Sequence, residues 1–245
     1  MLRFEVINKL LLLYLIERAR NCGGIFEDTR LQKLVFLSER SMLGRGLRGF
    51  TYVFIRLLYG PFSRELDNDK AALGDAQLID YSYDRGYYVS EKGAKILSIF
   101  GNVLERNRRF IEIIDDIVER FTAVSLDRLL AYVYDLPRGI RGDRRRIGLL
   151  PIKTVILARP KGRDYIDFDI RDNELWELSF WMDPDVIYIE ETHVRNYRVL
   201  LLRYREDKYW SAVAPSLLGC VSQGGDKNEA ITNIGEAIEA YMEET

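Results

Sequence analysis

Residues 213–244 read VAPSLLGCVSQGGDKNEAITNIGEAIEAYMEE, and the order of parts in this stretch decides the fold of the C-terminal end. Pro215 has no amide hydrogen to give to a ladder, so the strand before it stops there. A short apolar run from Leu217 to Ser222 reads as the next strand, and Gly224-Gly225 turns the chain. Asp226 precedes Glu229 by three residues, the spacing of a capping box, in which each side chain takes an amide at the helix start. Beyond it, Ala230, Ile231, Ile234, Ala237, Ile238 and Tyr241 make one apolar stripe at helical spacing. The small residues let that helix lie close on a sheet. Upstream, Tyr197 to Tyr204 and Tyr209 to Ala214 read as an antiparallel pair joined at Glu206-Asp207-Lys208. The pattern predicts a β-β-β-α module in residues 195–245.

Working outward, the 245-residue chain is 47% hydrophobic and 30% charged, the composition of a globular protein with a sizeable core. The apolar run Leu10 to Ile16 is cut short by Glu17, Arg18 and Arg20, so it neither spans a membrane nor reads as a cleaved leader. A cytoplasmic location is expected. Cys22 and Cys220 lie far apart, which argues against a disulfide framework. Charge is unevenly placed: residues 1–150 carry a net of +5 and residues 151–245 a net of −7. An anion-seeking surface is therefore expected on the first part.

In that part, Phe4, Ile7, Leu11, Leu12 and Leu15 predict a helix over 4–20, stopped at Cys22-Gly23-Gly24. A second helix is expected over 28–42, capped by Asp28 or Thr29. GFTYVFIRLLYG, residues 49–60, is rich in β-branched and aromatic residues and reads as extended. Pro61 suits the first turn of a third helix over 61–74. Two short strands around Asp84-Arg85-Gly86 make a hairpin, and Ser90 caps a long helix running to about Arg120. Helix, helix, strand, helix, hairpin is the order of a winged helix. On that reading Ser63, Arg64 and Lys70 on the third helix and Arg85 on the wing are candidate contacts to duplex DNA, although Glu65, Asp67 and Asp69 share the helix. A second basic cluster, Arg138, Arg141, Arg144, Arg145 and Arg146, stands among glycines where the charge changes sign. It reads either as an anion-seeking loop or as a solvated linker. Residues 152–190 read as β-rich: two extended runs about Pro160-Lys161-Gly162, then ELWELSFWMDPDVIYIEE as a helix or a strand pair. The expected fold class is α+β. Its parts are a mainly helical, winged-helix-like domain at 1–140, a basic linker and β-rich segment at 141–194, and the C-terminal module at 195–245.

Two resemblances rest on these residues. LQKL at 31–34, followed by YGPFSREL at 59–66 and by Leu78, resembles the Panacea (SocA-like) domain of antitoxins and adaptor-like proteins. More specifically, residues 196–244 resemble the HicB family of antitoxins through Tyr209, Ala212, Pro215, Leu218, Gly219, Cys220, Ser222, Gly224, Glu229, Ala230, Ile234, Ala237, Ile238 and Tyr241. Lys227 stands where that family often has threonine. The HicB resemblance implies a partial RNase H-like fold that neutralises a small toxin ribonuclease of the double-stranded-RNA-binding type. Many members of that family also carry a separate DNA-binding domain and repress their own operon. Here any such role would fall to residues 1–150.

Catalysis finds little support in the residue types. The strand YRVLLLRYR, residues 197–205, lacks the carboxylates that an RNase H-type nuclease gathers around divalent metal. His193 is the single histidine and has no ligand partner at metal spacing, so no metal or other cofactor is expected. Cys220 reads as a buried structural thiol. The expected function is that of a non-catalytic, antitoxin-like binding protein or regulator, homodimeric, with a small toxin ribonuclease as partner. The alternatives are a winged-helix transcription factor that uses the C-terminal module to oligomerise, and a nuclease whose carboxylates come from the middle segment.

Overall fold

A computed structural model describes residues 2–139, 143–162 and 164–243 of the chain. It is a mixed α+β protein with two compact units, Met1–Asp169 and Ile170–Thr245.

The first unit is built around α1 (Arg3–Arg20), whose segment Leu10 to Leu13 is buried on every side. A helix apolar all round belongs inside a core. Beside it, α2 (Asp28–Gly44) buries Leu31, Leu34, Val35 and Ser38, as its spacing predicts. Its start is not capped by Asp28 or Thr29: Glu27 holds the cap position, with no side-chain cap bond. The Asp28 carboxylate instead takes hydrogen bonds from Lys70 at 2.5 Å and Tyr87 at 2.6 Å.

The extended stretch after α2 forms β1 (Leu47–Arg48), β2 (Phe54–Leu57) and β3 (Gly60–Phe62). Pro61 thus sits in a strand, not in a first helical turn. β3 is an edge of the order β3-β2-β6, in which β6 is Val155–Leu157, and a residue without an amide hydrogen is tolerated there. Side chains of α2 hold this edge: Lys33 donates to the Pro61 carbonyl at 2.9 Å. Gln32 holds Ser63 just beyond, at its amide and its carbonyl. The third helix, α3 (Arg64–Asp75), therefore starts later than expected, with Ser63 at φ −122° accepting the Leu66 amide as its cap. β4 (Ile79–Ser82) and β5 (Gly86–Val89) form the hairpin read from the sequence. Gly86 at its turn, φ +70°, is pressed against the backbone at Ile25, where a Cβ would come within 2.3 Å of the carbonyl oxygen.

The single long helix expected after Ser90 is three: α4 (Glu91–Ile99), α5 (Gly101–Arg106) and α6 (Arg108–Phe121). Asn107 marks the second break. Its side-chain amide bonds both the amide and the carbonyl of Asp169, each at 2.6 Å, a long-range demand that local periodicity does not record. The far end of α6 is closed by Arg30, whose buried guanidinium donates to the carbonyls of Phe121, Thr122 and Val124 at 3.2, 2.9 and 2.7 Å. α7 (Leu126–Asp135) follows. The two extended runs after it do not pair with each other. β6 (Val155–Leu157) adds antiparallel to β2, while β7 (Ile166–Asp167) runs parallel to β1.

In the second unit, ELWELSFW lies within a helix, α8 (Asp172–Trp181), and not a strand pair. β8 (Val186–Val194), β9 (Tyr197–Tyr204), β10 (Trp210–Val213) and β11 (Val221–Gly224) form one antiparallel sheet in the order β11-β10-β9-β8. The module therefore has a fourth strand, β8, in front of the three expected. α9 (Lys227–Glu243) covers one face of this sheet. Val199, Leu201, Ala212, Ala214 and Cys220 meet Ala230, Ile234 and Ile238 there. Each fully buried isoleucine contributes about 1.5–3 kcal/mol. The alternate positions Leu200 and Leu202 are buried on the other face, from which Arg198 reaches Glu177 of α8.

Candidate functional site

The glycines of the C-terminal motif have two different jobs. Gly224 ends β11 beneath the first turn of α9, where a Cβ would lie 2.3 Å from the Ala230 amide nitrogen. Only glycine allows the helix to cross the strand this closely. Gly219 has open space around it and is required for its φ of +87°. It belongs to a turn, not to the third strand expected from Leu217. Leu217 N donates to Ala214 O, Cys220 N to Leu217 O, and Ala214 N to Cys220 O, at 2.9, 2.9 and 3.1 Å. Pro215 is buried at the head of this turn, directly after β10. Cys220 is 4% exposed, and burial pushes its thiol pKa up. Ser222 is half-buried in β11. The capping box is shifted by one residue: Glu229 N donates to Asp226 at 2.9 Å, but the Glu229 carboxylate reaches the Gly225 amide at 2.7 Å. Ala230 is fully buried, and Ala237 and Tyr241 pack at the margin of the core.

At the N-terminal end of α9, side chains from the sheet converge on Lys227, the position at which the sequence departs from the HicB pattern. Its ammonium bonds the Glu190 carboxylate and the Tyr188 hydroxyl, and lies 4.8 Å above the Tyr188 ring and 4.9 Å above the Trp210 ring. Tyr188 donates to Glu190 at 2.6 Å and meets Trp210 edge-on, with ring centroids 5.5 Å apart. The hydrogen bond to Glu190 holds the Lys227 pKa above its ordinary value, and Glu190 is held below its own by the bonds from Lys227 and Tyr188. Arg203 stacks on Trp210 at 5.7 Å. Tyr188, Arg203, Trp210 and Lys227, with Ile187, Arg205 and Asp207, line an open cleft of about 470 Å³. Tyr209, in the neighbouring turn, is 58% exposed. Exposed Tyr188 and Arg203 around a half-buried Trp210 have the composition of a protein-binding hot spot. Sequence reasoning did not single out Tyr188, Arg203 or Lys227 for this site, because β8 was not assigned to the sheet. The outward face of α9 is acidic, with Glu229, Glu236, Glu239 and Glu243 exposed.

The basic residues of the first unit are dispersed and largely paired. Ser63 is 1% exposed and committed to the helix start. Lys70 binds Asp28, and Arg85 pairs with Asp84 at 3.7 Å while lying over the Tyr88 ring at 4.3 Å. Arg138 and Arg145 share Asp143, at 3.3 and 3.0 Å, and Arg146 pairs with Asp135 at 2.7 Å. Arg64 and Arg144 are exposed without an ion pair among the described residues. Arg141 lies outside the described residues. His193 is exposed on β8. Among the described residues no helix is long and apolar enough to cross a membrane.

Fold and site together define a mixed α+β protein that ends in a sheet-and-helix module with an exposed aromatic and cationic cleft. Two curated proteins are similar to part of it. One is the UPF0150 protein Ta0767 of Thermoplasma acidophilum, 47% identical over 47 residues, which are 19% of this chain and 67% of that protein. The other is the UPF0150 protein ssr1765 of Synechocystis, 50% identical over 50 residues, 20% of this chain and 62% of that protein. Over this fifth of its length, the chain belongs to the UPF0150 family. No protein-family profile matches the chain, and no solved structure matches it. With no profile matching, the SocA-like resemblance of the first unit is not supported by these comparisons.

Proposed function

We propose that the chain is an antitoxin-like binding protein whose C-terminal module, β8 to α9, engages a small basic protein partner, in the manner of the HicB antitoxins it resembles. The observation that carries this reading is the module itself. The UPF0150 similarity extends over 47 and 50 residues, the length of the β9-to-α9 segment, which holds the motif Pro215, Gly219, Cys220 and Gly224 in its structural roles. The acidic outer face of α9 complements a basic partner, and the Tyr188, Trp210 and Arg203 cleft offers anchor residues beside it. Residues 170–245 contain 7 Lys and Arg against 15 Asp and Glu, so this unit repels nucleic acid phosphate. The open edges β8 and β11 suit pairing with a second copy, which is the basis of the homodimer proposal.

A second reading keeps duplex DNA as a ligand of the first unit, favoured by exposed Arg64 on α3 and Arg85 on the β4–β5 turn. The ion pairs of Lys70, Arg138, Arg145 and Arg146 weaken it, because each offsets charge that phosphate contact needs.

The test is co-expression of the full chain with the product of the adjacent reading frame. The expected result is relief of growth arrest caused by that product, together with a complex that co-elutes. Neither relief nor co-elution would overturn the proposal.

A further inference from the structure

The second half of the LQKL phrase points to a site that the binding function does not use. Lys33 lies on α2 and is 2% exposed. Lysine is almost never this buried unless its charge is paired. Its one hydrogen bond among the described residues is to the Pro61 carbonyl, leaving two ammonium hydrogens without an acceptor. Among the described residues no carboxylate is paired with it. The acidic residue that lines the same cleft, Asp28, is held by Lys70 and Tyr87. Asp67 of α3 is engaged by Gln32 and lies 3.7 Å from Lys70. Burial alone pulls the Lys33 pKa down to about 7.

Lys33 lines a cleft of about 530 Å³, within the usual range for small-molecule sites. Its walls are Leu57, Leu58, Tyr59, Phe62 and Ile152, from the β2–β3 hairpin and the segment before β6. Leu58, Tyr59 and Ile152 are 71%, 66% and 50% exposed, an apolar rim that no described residue of this unit covers. Gly60 at φ +88° closes the hairpin turn beside the Lys33 side chain, where an added Cβ would lie 3.5 Å from Lys33 Cε.

We propose that this cleft binds a small amphiphilic monocarboxylate, with its apolar body against Leu57, Phe62 and Ile152 and its carboxylate on the Lys33 ammonium. Two facts select that chemistry. Apolar walls favour an apolar body, and a buried cation with vacant donors and no counter-charge favours one negative group that accepts hydrogen bonds. A cation would meet Lys33 as a like charge, and a neutral alcohol would leave the charge uncompensated. The proposal concerns the first unit alone and stands or falls independently of the partner-binding reading.

Calorimetry on the full chain with octanoate, octan-1-ol and octylamine tests it. Octanoate should bind saturably, and octylamine should bind at least about tenfold more weakly, the ratio expected when one charge pair is lost. Lys33→Met should weaken octanoate by about tenfold or more and leave octanol unchanged. Leu58→Asp, at an exposed rim position, should weaken octanoate but not octylamine, so the charge preference is read even if Lys33→Met fails to fold. Equal affinity for all three compounds, no saturable octanoate binding, or octanoate binding unaffected by both substitutions would overturn the proposal.

Discussion

Gln32 holds the backbone of Ser63 from both sides: its side-chain nitrogen donates to the Ser63 carbonyl, and its side-chain oxygen accepts the Ser63 amide, each at 2.9 Å. One buried amide on α2 thus fixes where β3 ends and α3 begins, 31 residues away. With Lys33 bonded to Pro61, this explains why the LQKL and YGPFSREL phrases occur together. They are two halves of one hydrogen-bonded joint.

Gln32→Ala should cost about 2–4 kcal/mol, since it leaves the buried amide of Ser63 without its partner, leaves the Ser63 carbonyl only the longer 3.4 Å bond from the Asp67 amide, and opens a small cavity. Gln32→Glu should also destabilise, despite its near-identical shape. It keeps the acceptor but loses the donor, and it brings a negative charge to Asp67, which Gln32 now meets at 3.1 Å. Urea unfolding of both variants checks this. A Gln32→Ala protein as stable as the parent would remove the joint from the account of the fold.

The sequence made some of this legible and hid the rest. Helical spacing placed α1 and α2, the Ser90 cap and the β4–β5 hairpin were found from local chemistry, and the Asp226–Glu229 pairing located the start of α9. Long-range hydrogen bonds were invisible. Asn107 breaks a helix because of Asp169, Pro61 enters a strand because Lys33 and Gln32 fix the chain around it, and Ser63 is buried as a cap instead of facing solvent. The middle segment read poorly for the same reason: β6, β7 and β8 each find partners outside it. Of the site residues, the motif glycines were visible as a pattern, but the Lys227 cluster depends on Tyr188 and Glu190 of β8.

Lys33 should leave a signature in the pH dependence of stability. Its pKa falls from the ordinary 10.5 to about 7 on folding. Between those values the unfolded chain binds more protons than the folded one, so stability rises with pH from about 7 to about 10. The slope from one such group is at most about 1.4 kcal/mol per pH unit. Below pH 7 both states are protonated and the burial cost is fully present. Lys33→Met should therefore gain stability relative to the parent at low pH and lose that advantage as pH rises. Unfolding midpoints at pH 6 and pH 9.5 read this difference, and parallel pH profiles would contradict it.

Gly224→Ala should destabilise the C-terminal unit by about 2–4 kcal/mol, because the new methyl meets the Ala230 backbone at 2.3 Å, where nothing flexible can yield. Gly219→Ala should cost only about 1 kcal/mol, the strain of a left-handed backbone in open space. Circular dichroism melts of the two variants should rank them in this order. The reverse order would mean that α9 does not cross β11 as described.

Hydrogen–deuterium exchange of the full chain, alone and in complex with the co-expressed product of the adjacent reading frame, tests the central claim most directly. The expected result is new protection in 186–243, centred on the Tyr188, Trp210 and Lys227 cleft and the acidic face of α9, with the amides of 1–169 unchanged. Protection confined to 1–169, or no complex on which to measure it, would contradict the assignment of partner binding to the C-terminal module.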